Sequence, residues 1–197
     1  MENKLKLIIN LFGENRFKRD ELLIYHTFLK LGGFAKLFFI AFTQNEIIKI
    51  IKTCHDLDVP YIFYGIGSKI NFSNLGFEGV VIQNRTKNID ILSIKGKVSK
   101  EKGNVGVGVD QAVLEVESGV SVKKLAEYLD SHGFVKDEFV SVPGSIGGNI
   151  FVNKSLQQRA QSIKIMHQDG NIDIIASSDL SLRKHIVLSL ALRVKAK

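Results

Sequence analysis

Apolar positions along this chain fall into two rhythms, one helical and one alternating. Ile47, Ile48, Ile50, Ile51, Cys54 and Leu57 recur at helical spacing behind Thr43-Gln44-Asn45-Glu46, where a Thr and a Glu three residues apart make a capping box. This helix is predicted to run to about Asp58, since Pro60 discourages its continuation. The runs from Phe34 to Ile40 and from Val59 to Tyr64 read as strands on either side of it. A strand–helix–strand unit of this kind favours parallel pairing and a right-handed crossover. Ahead of it, MENKLKLIINLFG reads as a short amphipathic helix without the small-residue cleavage site of a secretory leader.

Further along, the pattern shortens. Gly79 to Ile82, Ile89 to Ile94, Val105 to Val109 and Val113 to Ser118 are brief apolar runs broken by glycine and charge, and Lys95 to Lys102 reads as a lysine-rich loop between strands. Ser121 is placed to cap a helix with Val122, Leu125, Ala126 and Leu129 on one face, ended by Gly133 in a left-handed conformation. Ser162 to Ala176 alternates on both sides of Gln168-Asp169-Gly170-Asn171, a hairpin signal, and HIVLSLALRVKA closes as a strand. Helix-linked strands followed by antiparallel ones predict an α+β fold of two subdomains. The expected division is an N-terminal helix or extension over 1–20, a first subdomain over 21–84 and a second over 85–197.

Two glycine clusters interrupt this pattern. In IFYGIGSKINFSNLGFEGVVI, Ile62 to Ile82, a strand empties into Gly65-Ile66-Gly67-Ser68. Bare glycine lets a bulky ligand approach the backbone, and successive N–H groups in such a turn form a nest for an anion, with the Ser68 hydroxyl as one more donor. The second cluster, SVPGSIGGN from Ser141 to Asn149, precedes an expected helical turn from Ile150 to Asn153, whose free N–H groups again suit phosphate. Neither is a P-loop, whose lysine and spacing are absent, nor a dinucleotide fingerprint opening a long helix. A purely structural glycine turn is the other reading of each cluster.

Composition narrows the field. No apolar run approaches the ~18 residues of a membrane span. The net charge of +7 is mostly lysine and is compatible with an anionic ligand; the lysine-rich stretch lacks the interleaved aromatic residues of a single-strand platform, so nucleic acid is not the expected partner. His26, His55, His132, His167 and His185 are too dispersed for a metal site, and none is assigned. Cys54, the single cysteine, excludes an internal disulfide; on its helix's apolar face it reads as a buried inert thiol, fitting a reducing compartment and a cytoplasmic location. Asp137-Glu138 reads as a solvated turn rather than an acid/base pair.

Taken in order, HTFLKLGGFA (His26 to Ala35), the Ile62 to Ile82 stretch, VESGVSVKKLAEYLDSHG and VPGSIGGNIFVN resemble the bacterial UDP-N-acetylenolpyruvoylglucosamine reductase family. That family carries a T-F-x-I-G-G-x-A opening, G-G-G-S-N-x-L leading to G-F-x-G-V-V-I, and I-P-G-x-x-G-G-x followed by N. The resemblance implies a two-subdomain α+β FAD-binding fold of the vanillyl-alcohol-oxidase type. It implies that Gly65, Ile66, Gly67, Ser68, Lys69, Ile70 and Asn71 wrap the pyrophosphate of FAD, and that Val142, Pro143, Gly144, Ser145, Gly147 and Gly148, with Asn153, line the flavin. It further implies NADPH as electron donor, a UDP-sugar substrate, and hydride transfer to an enolpyruvyl double bond in peptidoglycan synthesis. On this reading Gly67→Val abolishes flavin binding by filling the space of the pyrophosphate.

The departures are as specific as the match. The family's Y-R-x-S is met by Leu182-Arg183-Lys184-His185, which leaves Arg183 as the candidate catalytic residue. Lys69 stands where asparagine is usual, Ile66 where the middle glycine is, and Asn153-Lys154-Ser155-Leu156 where Asn-Ala-Gly-Ala is. The sequence stops short of the third domain that carries the family's proton-donating serine and late glutamate. A truncated or divergent reductase, or one completed by a separate chain, is therefore expected; the rival reading is a non-catalytic flavin-binding or interaction module on the same fold.

Overall fold

The computed structural model describes residues 1–101, 104–136, 142–182 and 184–197. Helix α1 (Glu2–Phe12) buries Leu5, Ile8 and Ile9. Strands β1 (Phe17–Leu22), β2 (Phe34–Ala41), β3 (Tyr61–Tyr64) and β4 (Phe77–Asn84), with helix α2 (Gln44–Asp56) between β2 and β3, build a four-stranded sheet of order β1-β2-β4-β3. The strand–helix–strand unit is parallel in sense, but its two strands are not neighbours. β4 lies between them, parallel to both, and its residues from Gly79 to Asn84 are all buried, as a central strand's are. β1, FKRDEL, is too charged to announce itself; it pairs antiparallel with β2 at the sheet edge, where charge is tolerated.

Local signals fixed α2. Thr43 Oγ1 accepts from Glu46 N–H at 3.2 Å, and the Glu46 carboxylate accepts in return from Phe42 N–H at 2.7 Å. The helix stops at Asp56, two residues before the predicted end, because Asp58 adopts a left-handed φ of 49° that turns the chain toward Pro60.

The second sheet is antiparallel throughout. It contains β5 (Ile89–Glu101), β6 (Asn104–Glu117), β7 (Ala160–His167), β8 (Ile172–Ile175) and β9 (His185–Lys195) in the order β5-β6-β9-β7-β8. The short runs expected as separate strands are continuous, and the lysine-rich loop is not a loop. Lys95 to Glu101 continue β5, an edge strand on which exposed Lys95 and Lys97 mask the alternation; Lys102 lies outside the described residues. Helix α3 (Val122–Ser131) forms as its caps dictate, with Ser121 Oγ accepting from Lys124 N–H at 3.1 Å and Gly133 at φ 75°. The helical turn expected at Ile150 falls earlier, as α4 (Ile146–Asn149), and is followed by α5 (Lys154–Arg159).

Among the described residues, three apolar clusters make up the core. Leu125 and Leu129 of α3 pack on Leu114, Leu190 and Leu192 of the second sheet. Ile47, Ile50, Ile51 and Cys54 of α2 meet Leu37, Phe39, Val80 and Ile82 of the first sheet, and also Met166 and Leu188 of the second. A smaller cluster, with Leu23, Phe38, Tyr64 and Phe72, lies beneath the first glycine loop's strand. Between the sheets, Glu117 (7% exposed) accepts from the backbone N–H groups of Lys87 and Asn88 at 2.9 and 2.8 Å. Asn84 donates to Ser118 Oγ at 2.8 Å and Thr86 Oγ1 accepts from Gly119 N–H at 3.0 Å, so the crossing from one sheet to the other is fastened to the turn that follows β6.

Candidate functional site

The first glycine loop starts where β3 ends. Gly67 is held at φ 79°, its carbonyl accepting from Phe28 N–H at 3.1 Å. Among the described residues, nothing accepts from the backbone N–H groups of Ile66, Gly67, Ser68 or Lys69. Gly65 to Ile70 line a cavity, and a glycine turn whose backbone donors are unspent there is a candidate anion nest.

The second loop comes from the other sheet. Gly144 is at φ 110° and its carbonyl accepts from Val122 N–H at 3.0 Å, tying the loop to the start of α3. Two N–H groups at the start of α4, which were expected to be free for phosphate, are already used. Ile146 donates to the Val120 carbonyl and Gly147 to the Ser118 carbonyl, each at 2.8 Å. A four-residue helix with its first donors spent is a poor phosphate site.

The two loops touch. A Cβ on Gly65 would strike Ser145 Oγ, and one on Gly144 would lie 2.9 Å from Ser68 Oγ and 2.8 Å from Asn149 Nδ2. Lys69 Nζ donates to Asn149 Oδ1 across the junction at 2.7 Å. Asn149 is 1% exposed, and its amide nitrogen donates to the carbonyls of Pro143 and Ser145, both at 3.0 Å.

Cavities open on both sides of this junction. The larger, about 560 Å³, is lined by Tyr61, Phe63, Tyr64, Gly65 to Ile70, Gly144, Ser145, Gly147 to Asn149, Phe151, Val152, Leu182 and the stretch from Lys184 to Val187. The smaller, about 470 Å³, is lined by His26, Thr27, Gln83, Arg85, Lys123, Val142 and Pro143, and shares Ile66, Ser68 and Gly144 with the first.

Of the residues expected at the site, Gly65, Ile66, Gly67, Ser68, Lys69, Ile70, Gly144, Ser145, Gly147 and Gly148 line the larger cavity, and Val142 and Pro143 the smaller. Asn71 lines neither, and Asn153 caps α5 by accepting from Leu156 N–H at 3.0 Å. Arg183 lies outside the described residues, although its neighbours Leu182 and Lys184 border the larger cavity. Sequence reasoning missed Asn149, which occupies a variable position of the glycine motif, and His185, seen only as a lost serine.

Among the described residues, three ionisable groups at the larger cavity are perturbed, and burial raises the first, the Tyr61 phenol. Burial pushes the Tyr64 phenol above its usual range, and its oxygen has no hydrogen-bond partner among the described residues. Burial pulls His185 below the ordinary histidine value, assisted by the charges of His167 and Lys184. Its Nδ1 accepts from Ser181 N–H at 3.1 Å, which places the ring proton on Nε2. Among the described residues no cluster of His, Cys, Asp and Glu could hold a metal ion, and no helix is long and apolar enough to cross a membrane.

Two α+β halves, each presenting a glycine loop to the other, with cavities flanking an anion nest, define a scaffold for a dinucleotide: two ring systems joined by a diphosphate have that dumbbell form. The chain belongs to the FAD binding domain family, matched over residues 35–170. It is 30% identical over 154 residues to the UDP-N-acetylenolpyruvoylglucosamine reductase of Chlamydia abortus, covering 75% of this chain and 46% of that one. Among solved structures, the UDP-N-acetylenolpyruvylglucosamine reductase from Thermus caldophilus superposes with a TM-score of 0.61 at 19% identity, over 92% of this chain and 63% of that one. A VAO-type flavoprotein from Myceliophthora thermophila gives 0.56 at 13% identity, over 83% and 32%. The fold is thus the two-subdomain vanillyl-alcohol-oxidase type that the resemblance implied. The chain spans about half the length of the curated relatives it matches.

Proposed function

We propose that this chain is the FAD-holding part of an oxidoreductase akin to UDP-N-acetylenolpyruvoylglucosamine reductase, working in the cytoplasm on an enolpyruvyl sugar nucleotide with NADPH as electron donor. The observation that carries the reading is the run of unpartnered N–H groups from Ile66 to Lys69 at the junction of two cavities, in a chain of the FAD binding domain family. Residues 21–84 and 85–197 act as the two halves of the clasp, because the sheets change over between Asn84 and Ile89; the stretch 1–20, expected as an extension, joins the first half, since Phe17 to Asp20 begin β1 and Leu5, Ile8 and Ile9 pack with α2.

In this reading the backbone of Ile66 and Gly67 and the backbone and hydroxyl of Ser68 hold the diphosphate, and the two cavities take the ring systems. Bound there, FAD supplies a ring that accepts hydride and passes it on. The chain's own residues bind, orient and dry that ring: Phe63 and Phe151 wall the larger cavity, and Gly147 brings backbone close because Ser118 leaves no room for a side chain. His185, neutral at pH 7 with its proton on Nε2, is a hydrogen-bond donor at the cavity's edge. The protonating serine and late glutamate implied by the resemblance belong to the part of the relatives that these residues do not cover. Turnover therefore needs that part as well, on this polypeptide or on a second chain.

The test is the visible spectrum of the purified protein, with the released cofactor identified by chromatography. Flavin bands and FAD are expected. A folded, colourless protein that refuses added FAD overturns the reading.

A further inference from the structure

Lys69 and Lys184 are both on the wall of the larger cavity, and among the described residues lining it none is acidic. Lys69 has no carboxylate partner among the described residues. Its ammonium has three donors and spends one on Asn149 Oδ1 at 2.7 Å, leaving two for another acceptor. Asn149 is itself fixed: both hydrogens of its amide are taken by the Pro143 and Ser145 carbonyls, so its oxygen has a single direction, toward Lys69. A buried carboxamide with every hydrogen spent thus holds an unneutralised cation next to four unpartnered N–H groups.

We propose that Lys69 and Asn149 form a charge clamp for the diphosphate of a dinucleotide, Lys69 as the contacting cation and Asn149 as its positioning residue. The inference rests on the flavin reading. It adds to that reading a residue-level source of selectivity, in which diphosphate-bearing ligands are favoured over the bare ring. An ammonium donating to phosphate makes a charge-assisted hydrogen bond, stronger than those of the N–H groups beside it. Because the two residues come from opposite loops, the clamp also couples loop closure to anion binding, and a bound phosphate gains an ammonium that is already oriented.

The experiment titrates wild-type protein, stripped of any cofactor, and its Lys69→Met and Lys69→Arg variants with FAD, ADP and riboflavin, following binding by calorimetry alongside thermal unfolding. Lys69→Met is expected to weaken FAD and ADP by ~10- to 100-fold, to leave riboflavin unchanged, and to flatten the salt dependence of FAD binding; Lys69→Arg recovers most of the affinity. Equal FAD affinity in wild type and Lys69→Met overturns the clamp while leaving the flavin reading intact. An equal loss for FAD, ADP and riboflavin, with a lowered Tm, also overturns it, in favour of a purely structural tie. Wild type that takes ADP in a Lys69-dependent way but refuses FAD overturns the flavin reading and upholds the clamp. Folded wild type that binds none of the three overturns both.

Discussion

Replacing Gly67 by alanine tests how the nest is built. Gly67 sits at φ 79°, and its missing Cβ would run into the His26 carbonyl oxygen, with the His26 carbonyl carbon and Thr27 Cα each 3.3 Å away. These neighbours are backbone, so no flexible side chain can give way. The left-handed conformation alone costs alanine roughly 1–2 kcal/mol. Displacing the segment from His26 to Phe28 also strains the Phe28 N–H bond to the Gly67 carbonyl, 3.1 Å long, worth about 0.5–1.5 kcal/mol. Gly67→Ala is therefore expected to lose about 2–4 kcal/mol, a large share of the ~5–15 kcal/mol that holds a domain together. Urea unfolding with an unchanged m-value measures it. The same geometry corrects the reason expected for Gly67→Val: the added side chain meets the neighbouring segment rather than filling the ligand's space, so cofactor loss follows from a deformed loop. Gly148→Ala is the control, since its Cβ would meet only Ser145 Oγ at an ordinary 3.6 Å and the residue is helical; stability should hold or rise by up to ~1 kcal/mol. A Gly67→Ala midpoint equal to wild type, or a Gly148→Ala variant just as damaged, refutes the reasoning.

Three further outcomes are expected. Glu117→Ala removes the buried carboxylate that accepts from the N–H groups of Lys87 and Asn88 and should cost about 1–3 kcal/mol in urea unfolding, with Glu117→Gln recovering part of it. The Cys54 thiol, pushed up to about 12 by burial, should ignore a thiol reagent at pH 8 in the native protein and titrate as one equivalent in denaturant; fast native labelling would contradict its packing. Hydrogen bonds from Lys136 and Lys197 hold the Asp130 carboxyl at about 2, below its ordinary 3.8. The stability this pairing adds is fully present above pH 3.8 and lost as pH falls toward about 2, so Asp130→Asn should be slightly less stable than wild type at pH 7, converge with it below about pH 2, and show a flatter acid-unfolding profile between.

What the sequence disclosed was local. Helices α2 and α3 were legible because a cap, a period of 3.6 and a terminating turn all lie within a dozen residues. The Gly170 hairpin was legible for the same reason. The insertion of β4 between β2 and β3 was not, because neighbour order in a sheet is settled by which strand can be buried on both faces, a comparison across the whole chain. The glycine loops were recognisable one at a time, but their contact was not: Lys69 and Asn149 are 80 positions apart, and each occupies a place where the family pattern predicts something else or nothing. Lys69 was expected at the site, but its contact with Asn149 was hidden where motif reading carries least information.

The division into two subdomains raises a question that β9 answers. From Lys164 to Ile165 on β7, the partner on β9 steps from Ser189 to Val187, leaving Leu188 as an extra residue in a bulge. The bulge turns Leu188 away from the α3 side, where Val187 and Leu190 pack, and into the α2 cluster beside Met166. Helix α2 consequently has one sheet on each side, and β9 serves both cores. Two halves that share a core in this way cannot unfold one at a time without exposing the other's apolar face, so the cofactor-free protein should unfold in one cooperative transition. Leu188→Ala, from a position with no exposed surface, should cost about 2–5 kcal/mol. Native-state hydrogen exchange should then show β2 and β4 losing protection together with β6 and β9, although Leu188 belongs to only one sheet. Protection lost in the first sheet alone would mean that the halves are held together by the ligand rather than by α2.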